Sequence, residues 1–119
     1  MTMKTFVTAA ALSLVAGVAA AAPAGMAGGV MTDLKGMTLY TFDNDTAGTS
    51  NCYGGCAQSW PPFIAQAGAA AEGPFSLVTR KDGAQQWAVN GMPLYYWAGD
   101  RKAGDVNGDG VGGVWHVIK

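Results

Sequence analysis

Beyond residue 22, apolar side chains recur with a period of two, the pattern of strands with one face buried. Residues 30–34 and 37–42 are two such runs, separated by Lys35-Gly36, and 87–89 and 93–97 are two more, separated by Asn90-Gly91. Asn-Gly suits a tight primed turn, because both central residues tolerate positive φ; Lys-Gly is a weaker form of the same cue. Residues 75–80 and 85–89 flank Lys81-Asp82-Gly83 as a further strand pair, and 114–118 reads as a closing strand. With 18 glycines, few leucines and 10% aromatic residues, short aromatic strands joined by turns fit better than a helical bundle. The predicted class is all-β.

The front of the chain follows another pattern. Residues 1–4 carry one positive charge, 6–18 are uncharged, and 19–24 are small, which is the three-part layout of a signal peptide over 1–22. The apolar stretch is shorter than the roughly 20 residues that a bilayer-spanning helix needs. Pro23 is a poor residue directly after a cut, so cleavage is expected after Ala21 or after Ala24. The expected product is exported, periplasmic or secreted, soluble, and without a transmembrane anchor. A lipid anchor would require a Cys directly after the apolar stretch, and the first is Cys52. Removing 22 of 119 residues leaves one small domain.

Compared with itself at an offset of 55 residues, the chain aligns Gly36 with Gly91, Met37 with Met92, Leu39 with Leu94, Tyr40 with Tyr95, Asp45 with Asp100, Gly55 with Gly110 and Trp60 with Trp115. Phe42 falls opposite Trp97. Coincidence of rare Trp, Tyr and Asp in one register indicates a tandem duplication. Repeat 1 spans 26–64 and repeat 2 spans 74–119, with the Ala/Gly-rich stretch 65–73 as linker. A lone hairpin is marginal in water, so two hairpin-based repeats are expected to form a single small domain around a shared aromatic core.

Tyr40 and Phe42, and likewise Tyr95 and Trp97, are two apart and share a strand face directed at that core. Asp45 and Asp100 follow three residues after the second aromatic. A carboxylate there can accept N–H groups of the next loop. Alternatively both Asp side chains and the Tyr hydroxyls surround one pseudo-symmetric cleft for a cation or polar ligand, which makes Tyr40, Phe42, Asp45, Tyr95, Trp97 and Asp100 the candidate binding residues.

These residues resemble the Y-x-[FWY]-x-x-D motif of a bacterial family of predicted lipoproteins, also called the secreted repeat of unknown function. Cys56-Ala57-Gln58-Ser59-Trp60-Pro61-Pro62 is similar to that family's C-A-x-x-W-P-P segment, and 104–115 to its Gly-rich approach to the final Trp. The resemblance covers nearly all of 30–118 and implies an exported repeat domain without naming a reaction. Unlike many members, this chain lacks the lipid-attachment Cys.

Cys52 and Cys56 are the only cysteines, and in an exported chain a local disulfide is the first expectation, with redox-active or metal-binding thiols as the alternative. Their three-residue spacing, with Ala57 next, lacks the C-x-x-C-H pattern of haem attachment. Asp105, Asn107 and Asp109, with Gly110 next, have the first half of a calcium loop, but position 12 is His116 instead of Glu, so a Gly-rich turn competes with a calcium site. Met37 and Met92, with the cysteines, are soft-ligand candidates for copper(I), against ordinary strand packing. His116 is the only histidine and is expected on an outer strand face, and no Gly-x-Ser-x-Gly elbow occurs. A net charge of −1 without a basic cluster argues against nucleic acid. The reading is a non-catalytic envelope or extracellular repeat domain, structural or ligand-binding, with no cofactor and an unknown envelope partner. A periplasmic calcium, copper or redox accessory protein is the alternative.

Overall fold

The computed structural model describes residues 21–119, so the leader reading over 1–22 lies, apart from Ala21 and Ala22, outside the described residues. Among these, the regular elements are β1 (Ala24–Ala27), β2 (Val30–Asp33), β3 (Tyr40–Phe42), the single turn α1 (Gly55–Ser59), β4 (Phe75–Thr79), β5 (Gln85–Val89), β6 (Met92–Pro93), a 3-10 turn (Val111–Gly113) and β7 (Trp115–Val117). The class is all-β, as the two-residue period predicts. Among the described residues no helix is long and apolar enough to cross a membrane.

Both repeats begin with the same three-part meander. In repeat 1, β1 pairs with β2 and Thr32 bridges to Thr38; in repeat 2, β4 pairs with β5 and β5 with β6. Asn90 and Gly91 both have positive φ, 51° and 86°, as a primed turn requires. The turn at Lys35-Gly36 differs from expectation. Gly36 alone is left-handed, its N–H donates to the Asp33 carbonyl, and the Asp33 Oδ1 accepts the N–H groups of Lys35 and Met37. The loop therefore has three residues, because lysine stays out of the positive-φ region that asparagine enters. Strand β1, which begins at the last residue of the small-residue cleavage stretch, is absent from the sequence pattern. Only Ala24 of its four residues is buried, so no alternation marks it.

The two halves then exchange strands. β3 of repeat 1 pairs antiparallel with β7 of repeat 2, in the register Tyr40 to Val117, Thr41 to His116 and Phe42 to Trp115. Shifted by 55 residues, this pairing becomes Tyr95 to Pro62, which is also present, with Tyr96 N–H donating to Pro61 and Ala98 N–H to Ser59. The matching bond in the other half runs from Asp43 N–H to Val114. At the centre, Tyr40 and Tyr95 bond each other's backbones reciprocally at 2.8 and 3.0 Å. The molecule is thus pseudo-two-fold symmetric, and each repeat's Trp-containing strand is seated on the other repeat. The predicted runs 37–42 and 93–97 are both interrupted, since each hairpin strand leaves its own meander to reach the other half.

This exchange builds the core. Four rings form a column: Phe42 stacks on Trp115 at 4.1 Å and Trp115 on Trp60 at 3.8 Å between centroids, and Trp97 lies at 4.2 Å from Trp60, tilted by 33°. Tyr40 meets Trp60 edge-on at 5.4 Å, and Tyr95 meets Trp115 edge-on at 5.2 Å. Such pairs add about 0.5–1.5 kcal/mol each beyond their buried area. A second cluster, with Met31, Leu39, Phe75, Trp87, Val89 and Leu94, underlies the meanders. Trp97 departs from the expected core position: it caps the column and is only partly buried.

Gly108 is held against the column by its lack of a side chain: a Cβ there would lie 2.8 Å from the Trp60 ring and 2.9 Å from that of Tyr40. Gly108→Ala is expected to lower stability by about 1–3 kcal/mol, through overpacking. It should show as a lower urea midpoint at unchanged slope. Gly55→Ala, in α1 with open space around it, is the control and should be neutral or slightly stabilising.

Candidate functional site

The motif residues meet across the pseudo-two-fold axis. The Tyr40 hydroxyl donates to Asp100 Oδ2 at 2.6 Å, and the Tyr95 hydroxyl donates to Asp45 Oδ2 at 2.6 Å. Both tyrosines are fully buried, and both carboxylates are buried. The remaining Asp45 oxygen accepts Asn51 N–H at 2.7 Å, and that of Asp100 accepts Asn107 N–H at 2.9 Å. Each aspartate is set by a tight turn, its own N–H donating to the carbonyl of Phe42 or Trp97. Three residues is therefore the spacing that turns the carboxylate back beneath the strand. The loop-capping expectation describes one oxygen of each aspartate. The other oxygen meets a phenol of the opposite repeat, so these groups face one another in the interior instead of lining an open cleft.

A third tyrosine repeats the theme: Tyr96 donates to Asp33 Oδ2 at 2.7 Å, again across the repeats. The sequence reading missed this pair, because neither residue belongs to the duplicated motif.

It also missed a buried guanidinium. Arg80 is 5% exposed and donates to Ser50 Oγ at 3.1 Å, Gln86 Oε1 at 2.8 Å and the Cys52 carbonyl at 2.7 Å, with the Tyr53 ring 4.2 Å away. Because Tyr95 spends its one proton on Asp45, Ser50 must donate across the 2.6 Å contact between the two hydroxyls. The protons are thereby ordered from Arg80 through Ser50 and Tyr95 to Asp45. A basic residue beside Lys81-Asp82-Gly83 looks like an ordinary turn flank, and no sequence signal marks it as buried.

Burial pushes the Asp45 carboxyl above its ordinary value, while the bonds from Tyr95 and Asn51 and the charge of Arg80 pull it back. Burial also pushes Tyr40, Tyr95 and Tyr96 well above the ordinary phenol value, and the facing carboxylates of Asp100, Asp45 and Asp33 add to the rise. A phenol held against a carboxylate cannot easily become a second anion.

Cys52 and Cys56 are joined in a disulfide with Cα atoms 5.2 Å apart, and among the described residues there is no free cysteine. In this oxidised form the pair presents no thiolate to a metal. Met37 and Met92 are partly buried beside the hairpin turns. In the calcium-like loop, Asp105 Oδ2 accepts the N–H groups of Arg101 and Lys102, and Asp109 Oδ1 accepts that of Val117. Asn107 contributes its backbone N–H to Asp100. Among the described residues no group of three or more His, Cys, Asp or Glu side chains gathers in one place. His116 is half-exposed, as expected for an outer strand face, and its Nε2 lies 2.9 Å from Asp43 Oδ2.

Two predictions follow from these bonds. Tyr40→Phe should cost about 1.5–3 kcal/mol in urea denaturation, the range for a hydrogen bond to a charged group. Tyr95→Phe should cost more, because Ser50 loses its acceptor as well. In alkali, the native chain retains phenol protons that the unfolded chain has lost, so stability is complete below the ordinary phenol value of 10.0 and falls as pH rises above it. Phenolate absorbance from Tyr40, Tyr95 and Tyr96 should therefore appear together with loss of the near-ultraviolet Trp signal, not before it.

The sequence pattern of one family matches the chain twice, over residues 24–64 and 76–119, on either side of the short exposed crossing between the halves. Neither a curated protein nor a solved structure matches. The two matches coincide with the two strand-exchanged halves, and together they cover well over half of the chain, which therefore belongs to the family described as a secreted repeat of unknown function.

Proposed function

We propose that this chain is a non-catalytic module of the periplasm or the extracellular medium, and that its Y-x-[FWY]-x-x-D motifs are a clasp between repeats. One observation carries the reading: the phenol of each motif is donated to the carboxylate of the other, at 2.6 Å in both directions. A motif spent in this way builds a rigid platform and has no free nucleophile or base of its own. The disulfide within repeat 1 supports an oxidising compartment. A ligand-binding role has room outside the motif, in an open cavity of about 410 Å³ whose lining includes Phe63, Trp87, Tyr96, Asp33 and Lys35 together with Ala21, Ala22 and Pro23 of the expected cleavage region.

Two measurements test this. In a double-mutant cycle, Tyr40→Phe and Asp100→Asn should couple by about 1–3 kcal/mol. A coupling near zero would remove the clasp. Exported protein, denatured without reductant, should show no titratable thiol, whereas two thiols per chain would contradict the oxidised module.

A further inference from the structure

The exchange leaves the halves joined covalently at one place only. The disulfide lies within repeat 1, and the chain passes to repeat 2 through residues 66–73, none of them buried. Backbone hydrogen bonds of this crossing are local, from Ala69 to Gln66 and between Glu72 and Phe75. Only Ala69 rests on the hydrophobic cluster beneath the meanders. Against this slight tie stands an interface containing the β3–β7 ladder, three Tyr–Asp bonds and the ring column.

We propose that the surface each repeat presents to its neighbour also receives a second copy of this chain. Repeat 1 of one copy assembles with repeat 2 of the other, β3 on the other copy's β7, giving a strand-exchanged dimer with two complete modules. All the noncovalent contacts of the monomer recur in that dimer. The balance between the forms is then set by the reach of the crossing and by protein concentration. Eight residues reach roughly 25–30 Å when extended, enough to run between adjacent modules. A short flexible tether gives an effective concentration on the order of mM, so exchange should compete as the protein approaches that concentration.

Arg80 decides which repeats pair. It belongs to repeat 2, while its acceptors Ser50 Oγ and the Cys52 carbonyl belong to repeat 1; by strand register the position after the first strand, Arg80 after Thr79, is Gly28 after Ala27 in the other half. Two copies of repeat 1 would lack the guanidinium. Two copies of repeat 2 would bury two guanidiniums without those acceptors, and a buried charge stripped of its partners is strongly disfavoured. The geometry therefore favours repeat 1 with repeat 2, within a chain or between chains.

The inference rests on the clasp, and the two fail differently: an absent clasp shows as zero Tyr40–Asp100 coupling, an absent exchange as a chain that stays monomeric. The intact chain is unfolded and refolded at about 10 µM and about 1 mM, spanning the effective concentration, and its mass is read by light scattering. Monomer at the lower and a growing dimer fraction at the higher concentration are expected. A variant with Thr41→Cys and His116→Cys, residues paired across β3 and β7, is then refolded and oxidised. Exchanged dimers should run as covalent dimers on denaturing, non-reducing gels, and dilute samples as cross-linked monomers. A monomer at both concentrations overturns the proposal, as does a dimer whose cross-link stays within one chain. If the variant does not fold, the intact chain's mass at about 1 mM decides.

Discussion

A phenol buried in a protein interior must find an acceptor, and a buried carboxylate must find donors. Each repeat of this chain supplies one of each, and the phenol of one repeat meets the carboxylate of the other. The phenols donate reciprocally, Tyr40 to Asp100 and Tyr95 to Asp45, while the N–H groups of Asn107 and Asn51 meet the second oxygen of each carboxylate. Around that exchange the rest of the architecture is arranged: the Tyr40 and Tyr95 backbones pair at the pseudo-axis, and each Trp strand lies on the opposite half. The ring column follows, because strands crossing over bring Phe42 onto Trp115 and Trp97 onto Trp60.

The symmetry is incomplete, and the differences are informative. Both motifs are followed by a long loop that returns as a short helical turn before its Trp. In repeat 1 the loop is pinned by the Cys52–Cys56 disulfide and by Arg80, which holds the Cys52 carbonyl and Ser50. Repeat 2 has neither. There Asp105 gathers the N–H groups of Arg101 and Lys102, and Asp109 holds that of Val117, while Gly108 slips under the Tyr40 and Trp60 rings. The acidic residues of the calcium-like loop thus hold its backbone where the first repeat has a covalent bond.

At the level of chemistry, this places the family's signature residues in the interior as structural partners. The motif holds the scaffold, and a scaffold by itself names no function. The rim of the cavity near Phe63, Trp87 and Tyr96 is tied to the scaffold by the Tyr96–Asp33 bond, another contact between the repeats.

Sequence alone determined the class, the duplication and the primed turn at Asn90-Gly91, and made a local disulfide the first expectation, because these depend on near neighbours: a period of two, a 55-residue offset, a dipeptide that accepts positive φ, two cysteines in one short loop. It did not reveal β1, whose four residues bury only Ala24, or the interruptions in 37–42 and 93–97, where strands depart for the other half. Nor could it find Arg80, Ser50 and Gln86 as one network, since their burial depends on segments 30 or more residues apart meeting. The pairing of each Tyr with the distant Asp instead of its own was decided by tertiary structure. A motif gives the spacing of its side chains along one strand, and only the packed halves determine which carboxylate lies within 2.6 Å of which phenol.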